Sequence, residues 1–173
     1  FQLGPLTIER LQFFELQQGL FGPEAGVTIA GVVGYDVLHR AIACVRMGEP
    51  AIELHDPARF ALEGSAWTAL VFHTRHPVAE ARYEGHTGLF RLDTGAGAVA
   101  VLFNAPTGAR LELLEGRAVR KAHARGVGGP FDLEIGSLSS FTIGGMDLPG
   151  TSAIFSAPGA GATEDLYTDG LLG

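Results

Sequence analysis

Leu89-Phe90-Arg91-Leu92-Asp93-Thr94-Gly95-Ala96 is the stretch on which the reading of this chain turns. A mostly apolar run delivers an aspartate at its end. A hydroxyl-bearing residue follows, suited to bracing a loop through a hydrogen bond. A glycine then allows a tight turn and the close approach of another segment. An acid presented at the end of a strand is a candidate for proton-transfer chemistry. The same triplet also makes an ordinary turn after a strand, so its surroundings have to decide.

Outward from Asp93 the chain reads as short strands divided by turns. Residues 78–83 alternate and turn at Glu84-Gly85, residues 67–72 close at His76-Pro77, and residues 51–54 close at His55-Asp56-Pro57. Farther upstream, after a turn at Gly19-Leu20-Phe21-Gly22-Pro23, a β-branched run over 27–34 predicts a buried strand. Residues 35–44 carry Val37, Leu38, Ala41 and Ile42 at helical spacing, which predicts two to three helical turns with Asp36 as the N-cap. Leu11-Gln12-Phe13-Phe14 is expected in the core, and residues 110–125 are expected to be helical or irregular. With 25 Gly and 9 Pro among 173 residues, turns are frequent. The predicted fold class is mostly β, a sandwich or barrel with one or two short helices.

Composition narrows the function classes. A chain that is 46% hydrophobic and 18% charged builds a packed core and is not bulk disorder. Its net charge is −7, Lys121 is its only lysine and no Lys/Arg run stands out, so a nucleic-acid surface is not expected. The single cysteine, Cys44, has no intrachain partner and reads as a small buried hydrophobe. No apolar stretch approaches the roughly 20 residues of a membrane span. The N-terminus carries no signal-peptide pattern. The abrupt ends, Phe1-Gln2-Leu3-Gly4 and Gly170-Leu171-Leu172-Gly173, suggest a piece of a longer protein.

The chain also repeats itself. Leu3-Gly4-Pro5-Leu6-Thr7-Ile8 leads through a glycine-rich stretch to Ala30-Gly31-Val32-Val33-Gly34. Ile135-Gly136-Ser137-Leu138-Ser139-Ser140 leads in the same way to Asp169-Gly170-Leu171-Leu172-Gly173. A repeat of this length suggests two related lobes.

Asp93-Thr94-Gly95-Ala96, then Gly126-Val127-Gly128-Gly129, then Leu171-Leu172-Gly173 follow the order of elements in retropepsin-like aspartic proteases, which this chain resembles over nearly its whole length. Gly31-Val32-Val33-Gly34-Tyr35-Asp36-Val37-Leu38 is similar to the closing element of a preceding lobe with its trailing helix. Glu53-Leu54-His55-Asp56-Pro57-Ala58-Arg59-Phe60 and His76-Pro77-Val78 resemble the inter-lobe connection of bacterial two-lobed members. The resemblance implies acid-protease-like closed β-barrel lobes. Residues 1–45 would be the C-terminal half of a first lobe, 46–84 connecting strands, and 85–173 the N-terminal and flap part of a second lobe.

It further implies an aspartic-type endopeptidase without metal or cofactor, acting on a peptide or protein substrate. Two carboxylates share one proton, because like charges that close do not both ionise. One activates a water and the other polarises the scissile carbonyl. Asp93 would be one of them, Thr94 would brace its loop and Gly95 would permit the loop geometry. Gly126, Val127, Gly128 and Gly129 would form the flap tip over the substrate. Leu171-Leu172-Gly173 would pack beneath the Asp93 loop. The second acid would come from another lobe of the parent chain or from a homodimer partner, since Asp36, Asp56, Asp147 and Asp169 lack a following Thr/Ser-Gly. The bacterial relatives are often exported, which leans the expected location towards periplasmic or extracellular. The alternatives are a catalytically inactive peptide-binding or assembly module of the same fold, or an unrelated β-sandwich that binds a ligand or carbohydrate, with Asp93 on an exposed turn away from any cleft.

Other motifs carry less. His73-Thr74-Arg75-His76 reads as an exposed turn, because nothing completes a metal ligand set. Gly95-Ala96-Gly97 lacks the Lys-Ser/Thr of a phosphate loop. Residues 31–34 lack dinucleotide-binding spacing, and no Gly-x-Ser-x-Gly elbow occurs.

Overall fold

A computed structural model of the chain describes residues 1–3, 6–15, 29–46, 48–49, 51–64, 67–96, 99–126, 129–159 and 161–173. These fall into two units, residues 1–67 and 68–173. The segment 46–84, expected to be connecting strands, is divided between them.

Among the described residues the first unit holds two short antiparallel pairs and one turn of helix. β1 (Gln2–Leu3) pairs with β2 (Leu6–Thr7), and β3 (Ile42–Arg46) pairs with β4 (Ala51–His55). Helix α1 (Tyr35–Leu38) is much shorter than the 35–44 helix expected, and its N-cap is Gly34, with Asp36 inside the first turn. Ile42 leaves the helical pattern because a partner strand is at hand: it lies opposite His55 of β4. Arg46 Nε also donates to Glu53 Oε1 across the pair at 2.7 Å. Residues 29–34 of the expected buried strand pair with no strand among the described residues, and Val32 and Val33 are exposed. The start of that run, residues 27–28, and the turn at 19–23 lie outside the described residues. Phe13 and Phe14 are exposed and not core, and Cys44 is half-buried. These departures share a cause. Only Ile8 and Val37 are buried apolar residues among the described part of this unit, so it has no sheet face on which other apolar side chains can leave water.

The described residues of the second unit form one ten-stranded sheet. Its strands are β5 (Val71–His73), β6 (His76–Tyr83), β7 (His86–Leu92), β8 (Val101–Phe103), β9 (Arg120–Gly126), β10 (Gly129–Ser137), β11 (Phe141–Ile143), β12 (Met146–Asp147), β13 (Ser152–Ser156) and β14 (Gly170–Leu172). Helix α2 (Ala105–Arg110) follows β8, and a 3-10 turn covers Gly161–Thr163. Period-two alternation sets the central hairpin: Ala79, Ala81 and Tyr83 of β6 are buried while Glu80 and Arg82 face water. Glu84 and Gly85 close it with positive φ at both positions, the turn that matches strand twist.

The sheet order is β12-β11-β6-β7-β14-β8-β13-β10-β9, with β5 beside β6. β7 and β8 are consecutive in the chain but do not pair. β14 lies between them, parallel to β7 (Gly170↔Phe90) and antiparallel to β8 (Gly170↔Phe103). Only glycine fits this slot, because a Cβ at residue 170 would stand 2.0 Å from the Leu102 carbonyl oxygen. Asp169 pins the insertion. Its N–H donates to Leu89 O at 2.7 Å, and its carboxylate accepts from Leu89 N–H (3.2 Å), Thr107 Oγ1 (3.1 Å) and Arg110 Nη2 (2.8 Å). Beside it the buried Tyr83 hydroxyl meets no partner at full hydrogen-bond geometry among the described residues. Burial, and then the charge of Asp169, push its pKa up.

The core is aromatic. Phe103 stacks on Phe155 with ring centroids 5.3 Å apart, and Phe90 meets Tyr83, Phe103 and Phe141 edge-on. Each such pair adds roughly 0.5–1.5 kcal/mol beyond area burial.

Two expectations change here. The fold is mostly β with two short α-helices, but the sheet path runs open from β12 to β9 among the described residues, so the expected closed barrel is not formed. Residues 110–125 are not one helical or irregular stretch: α2 ends at Arg110, turns follow, and β9 begins at Arg120. Lys121 and His123 alternate with Ala122 and Ala124 opposite β10, and this period of two takes residues 120–126 into the sheet. No helix among the described residues is long and apolar enough to cross a membrane.

Candidate functional site

β7 is buried at Phe90 and runs out of the sheet at Leu92, which places Asp93 at its C-terminal end. The insertion of β14 fixes the loop that follows. Asp93 N–H donates to Leu172 O at 2.8 Å, continuing the β7–β14 ladder by one bond. Gly173 N–H donates to Val99 O at 3.1 Å on the far side of the loop. Leu172 itself packs against the core. The 171–173 segment thus lies against the Asp93 loop.

Within the loop, Gly95 N–H donates to Asp93 Oδ1 at 2.9 Å and Ala96 N–H donates to Asp93 O at 3.0 Å. A Cβ at residue 95 would press on that same oxygen at 3.1 Å. The aspartate side chain is therefore oriented by its own turn. Asp93, Thr94 and Gly95 are all exposed. No hydrogen bond from the Thr94 hydroxyl occurs among the described residues, so within this chain backbone N–H groups hold the loop. Gly97 lies outside the described residues.

Arg91 stands on β7 two residues before Asp93. Arg91 Nη2 donates to Asp165 Oδ2 at 2.7 Å, with both side chains largely buried. Thr168 Oγ1 donates to the same oxygen at 2.5 Å, and Tyr167 N–H donates to Asp165 Oδ1 at 3.0 Å. Burial raises the Asp165 pKa, but these hydrogen bonds and the Arg91 charge outweigh it and hold the carboxyl below its ordinary value. The His73 and Tyr167 rings meet at a tilt with centroids 4.9 Å apart, and His73 Nδ1 is buried with no hydrogen-bond partner among the described residues. His73 is thus half in the structure, whereas Thr74, Arg75 and His76 form the exposed turn expected of them. The sequence gives one signal for this cluster: a charged residue inside Leu89-Phe90-Arg91-Leu92 needs a partner when the strand is buried.

The expected flap falls on the β9–β10 hairpin. Gly126 and Gly129 are its last paired residues, and Val127 and Gly128 lie outside the described residues. In sheet order β14, β8, β13 and β10 separate β7 from β9. No hydrogen bond joins the Asp93 loop to this hairpin among the described residues. The structure therefore brings Asp93, Thr94, Gly95 and Leu172 together, and leaves the glycine hairpin apart from them within one chain. Comparison with protein-family models and with curated proteins finds no match to this chain.

Proposed function

We propose that the second unit is the catalytic part of an aspartic-type endopeptidase, with Asp93 as one of two paired carboxylates. The observation that supports this most is the β14 insertion. It anchors the Asp93 loop by a 2.8 Å backbone bond to Leu172, while the Gly95 N–H orients the carboxylate towards the open surface. An acid held in this way presents itself to a second acid across an interface. The second carboxylate comes from another lobe or a second subunit. The pair shares one proton, one member taking a proton from the attacking water and the other polarising the peptide carbonyl. Thr94 and Gly95 belong to the same loop. Gly126, Val127, Gly128 and Gly129 supply the flap of the completed site, closing on a peptide held in extended form.

The exposure of Asp93 in a single chain, with no second Asp-Thr-Gly in the sequence, favours one other reading: a module that does not cleave, either a peptide-binding or assembly member of the same fold or an unrelated β protein that carries Asp93 on an exposed turn. Peptide hydrolysis by the natural protein carrying this sequence, measured over a range of concentrations, separates the two. The protease reading expects activity that Asp93→Asn abolishes. It also expects specific activity to rise with protein concentration if the second acid comes from another subunit. Hydrolysis that survives Asp93→Asn, or no hydrolysis at any pH or concentration, sinks it.

A further inference from the structure

We propose that the free edge of β9 docks an extended acidic peptide carrying one large apolar side chain. β9 ends the ten-stranded sheet, and β10 is its only neighbour among the described residues. About half of its backbone N–H and C=O groups therefore face outward, a template for one more strand.

The charge of this edge runs against that of the chain. β9 carries Arg120, Lys121, His123 and Arg125 and no acid. Three of the twelve Lys and Arg fall within its first six positions in a chain of net charge −7, and the nearest acids are Asp132 and Glu134 of β10, opposite His123 and Lys121. This concentration qualifies the sequence-based view that no basic cluster stands out. Arg120 and Lys121 are exposed and make no ion pair among the described residues. His123 is engaged, through Nδ1 and Asp132 Oδ1 at 2.5 Å directly across the pair.

Next to this edge lies an open groove of about 440 Å³. Pro130, Phe131, Ala157 and Pro158 supply its apolar wall, and His123 and Asp132 its polar rim. Ala157 N–H donates to Asp132 O at 3.2 Å, which ties the end of β13 to β10 and shapes the groove.

The charges select the occupant. Lys and Arg on an edge strand keep identical copies from pairing edge to edge, because a second β9 would set like charges opposite one another. An acidic strand meets the same residues with opposite charge. A nucleic-acid backbone would also neutralise them, but it has no use for the outward peptide groups or for an apolar pocket. A peptide uses all three features: backbone pairing for affinity, acids for orientation and one side chain in the groove for selectivity. This inference does not depend on Asp93.

Fluorescence anisotropy with a labelled Glu/Asp-rich peptide bearing one central Phe tests it. The chain should bind the peptide saturably, and Arg120→Glu with Lys121→Glu should weaken binding by about tenfold or more. Methylating alternate peptide nitrogens should weaken it by about as much, since those groups no longer pair with the edge. That arm needs no protein variant. Phe→Ser in the peptide should cost several-fold, and Asp93→Asn should leave the affinity unchanged. The proposal is overturned by an absence of saturable binding, by binding that N-methylation does not weaken, or by a single-stranded oligonucleotide of equal charge binding more tightly.

Discussion

Gly31-Val32-Val33-Gly34 and Gly170-Leu171-Leu172-Gly173 share a pattern of two apolar residues between glycines, and the chain uses them differently. The second is strand β14, paired on both sides. The first has no strand partner among the described residues and leaves Val32 and Val33 in water. The residue preceding each explains part of this. Asp169 bonds to Leu89, Thr107 and Arg110 and holds its strand in place, whereas the corresponding residue of the first copy is Ala30, which has no side chain to anchor with. The larger part is what lies on either side. β7 and β8 together offer two open ladders to whatever enters between them. An apolar tetrapeptide becomes a buried strand when such a slot receives it, and its own propensity does not suffice.

Substitution at matching positions tests this contrast. The largest effect is expected at Gly170→Ala, whose Cβ would meet backbone on β8 at 2.0 Å. It should destabilise the second unit by about 3 kcal/mol or more, or prevent its folding. Gly31→Ala, with open space around it, should stay within about 0.5 kcal/mol of wild type. Urea unfolding followed by far-UV circular dichroism measures both, and equal effects would dissolve the distinction.

A smaller difference is expected between Leu172→Ala and Val33→Ala. Leu172 is half-buried against the aromatic core, so its truncation should cost about 1–2 kcal/mol, less than a fully buried leucine. The Val33 change should be close to neutral. Because Leu172 O also receives the Asp93 N–H, faster hydrogen exchange at the Asp93 amide in Leu172→Ala would tie the packing to the loop.

The smallest effect concerns pH. The folded Asp165 pKa lies below its ordinary value, so its contribution to stability is complete above the unfolded pKa of about 3.9. That contribution is lost as pH falls through the folded value. Asp165→Asn should lower stability at neutral pH and flatten the acid limb of the stability curve below about pH 4. An unchanged acid limb would mean that the Arg91–Asp165 pair does not stabilise the strand that carries Asp93.

Legibility in the sequence followed the reach of the interactions. Residues 78–92 were readable because everything that shapes them is local: alternation along β6 and β7, the Glu84-Gly85 turn, and an aspartate where the apolar run ends. Residues 35–44 and 110–125 are less legible because the choice between helix and strand lies with partners elsewhere, β4 for Ile42 and β10 for Lys121 and His123. The Arg91–Asp165 pair spans 74 positions, and only the lone charge in an apolar strand hinted at it.

By itself the sequence determined the β-rich class, the central hairpin and the delivery of Asp93 to a strand end, since side-chain period and turn chemistry act over a few residues. Only the tertiary structure decided that β14 slots between β7 and β8 and that, among the described residues, the sheet stays open with β9 at its edge. Those outcomes depend on which ladder edges meet across the chain, and no local pattern encodes that.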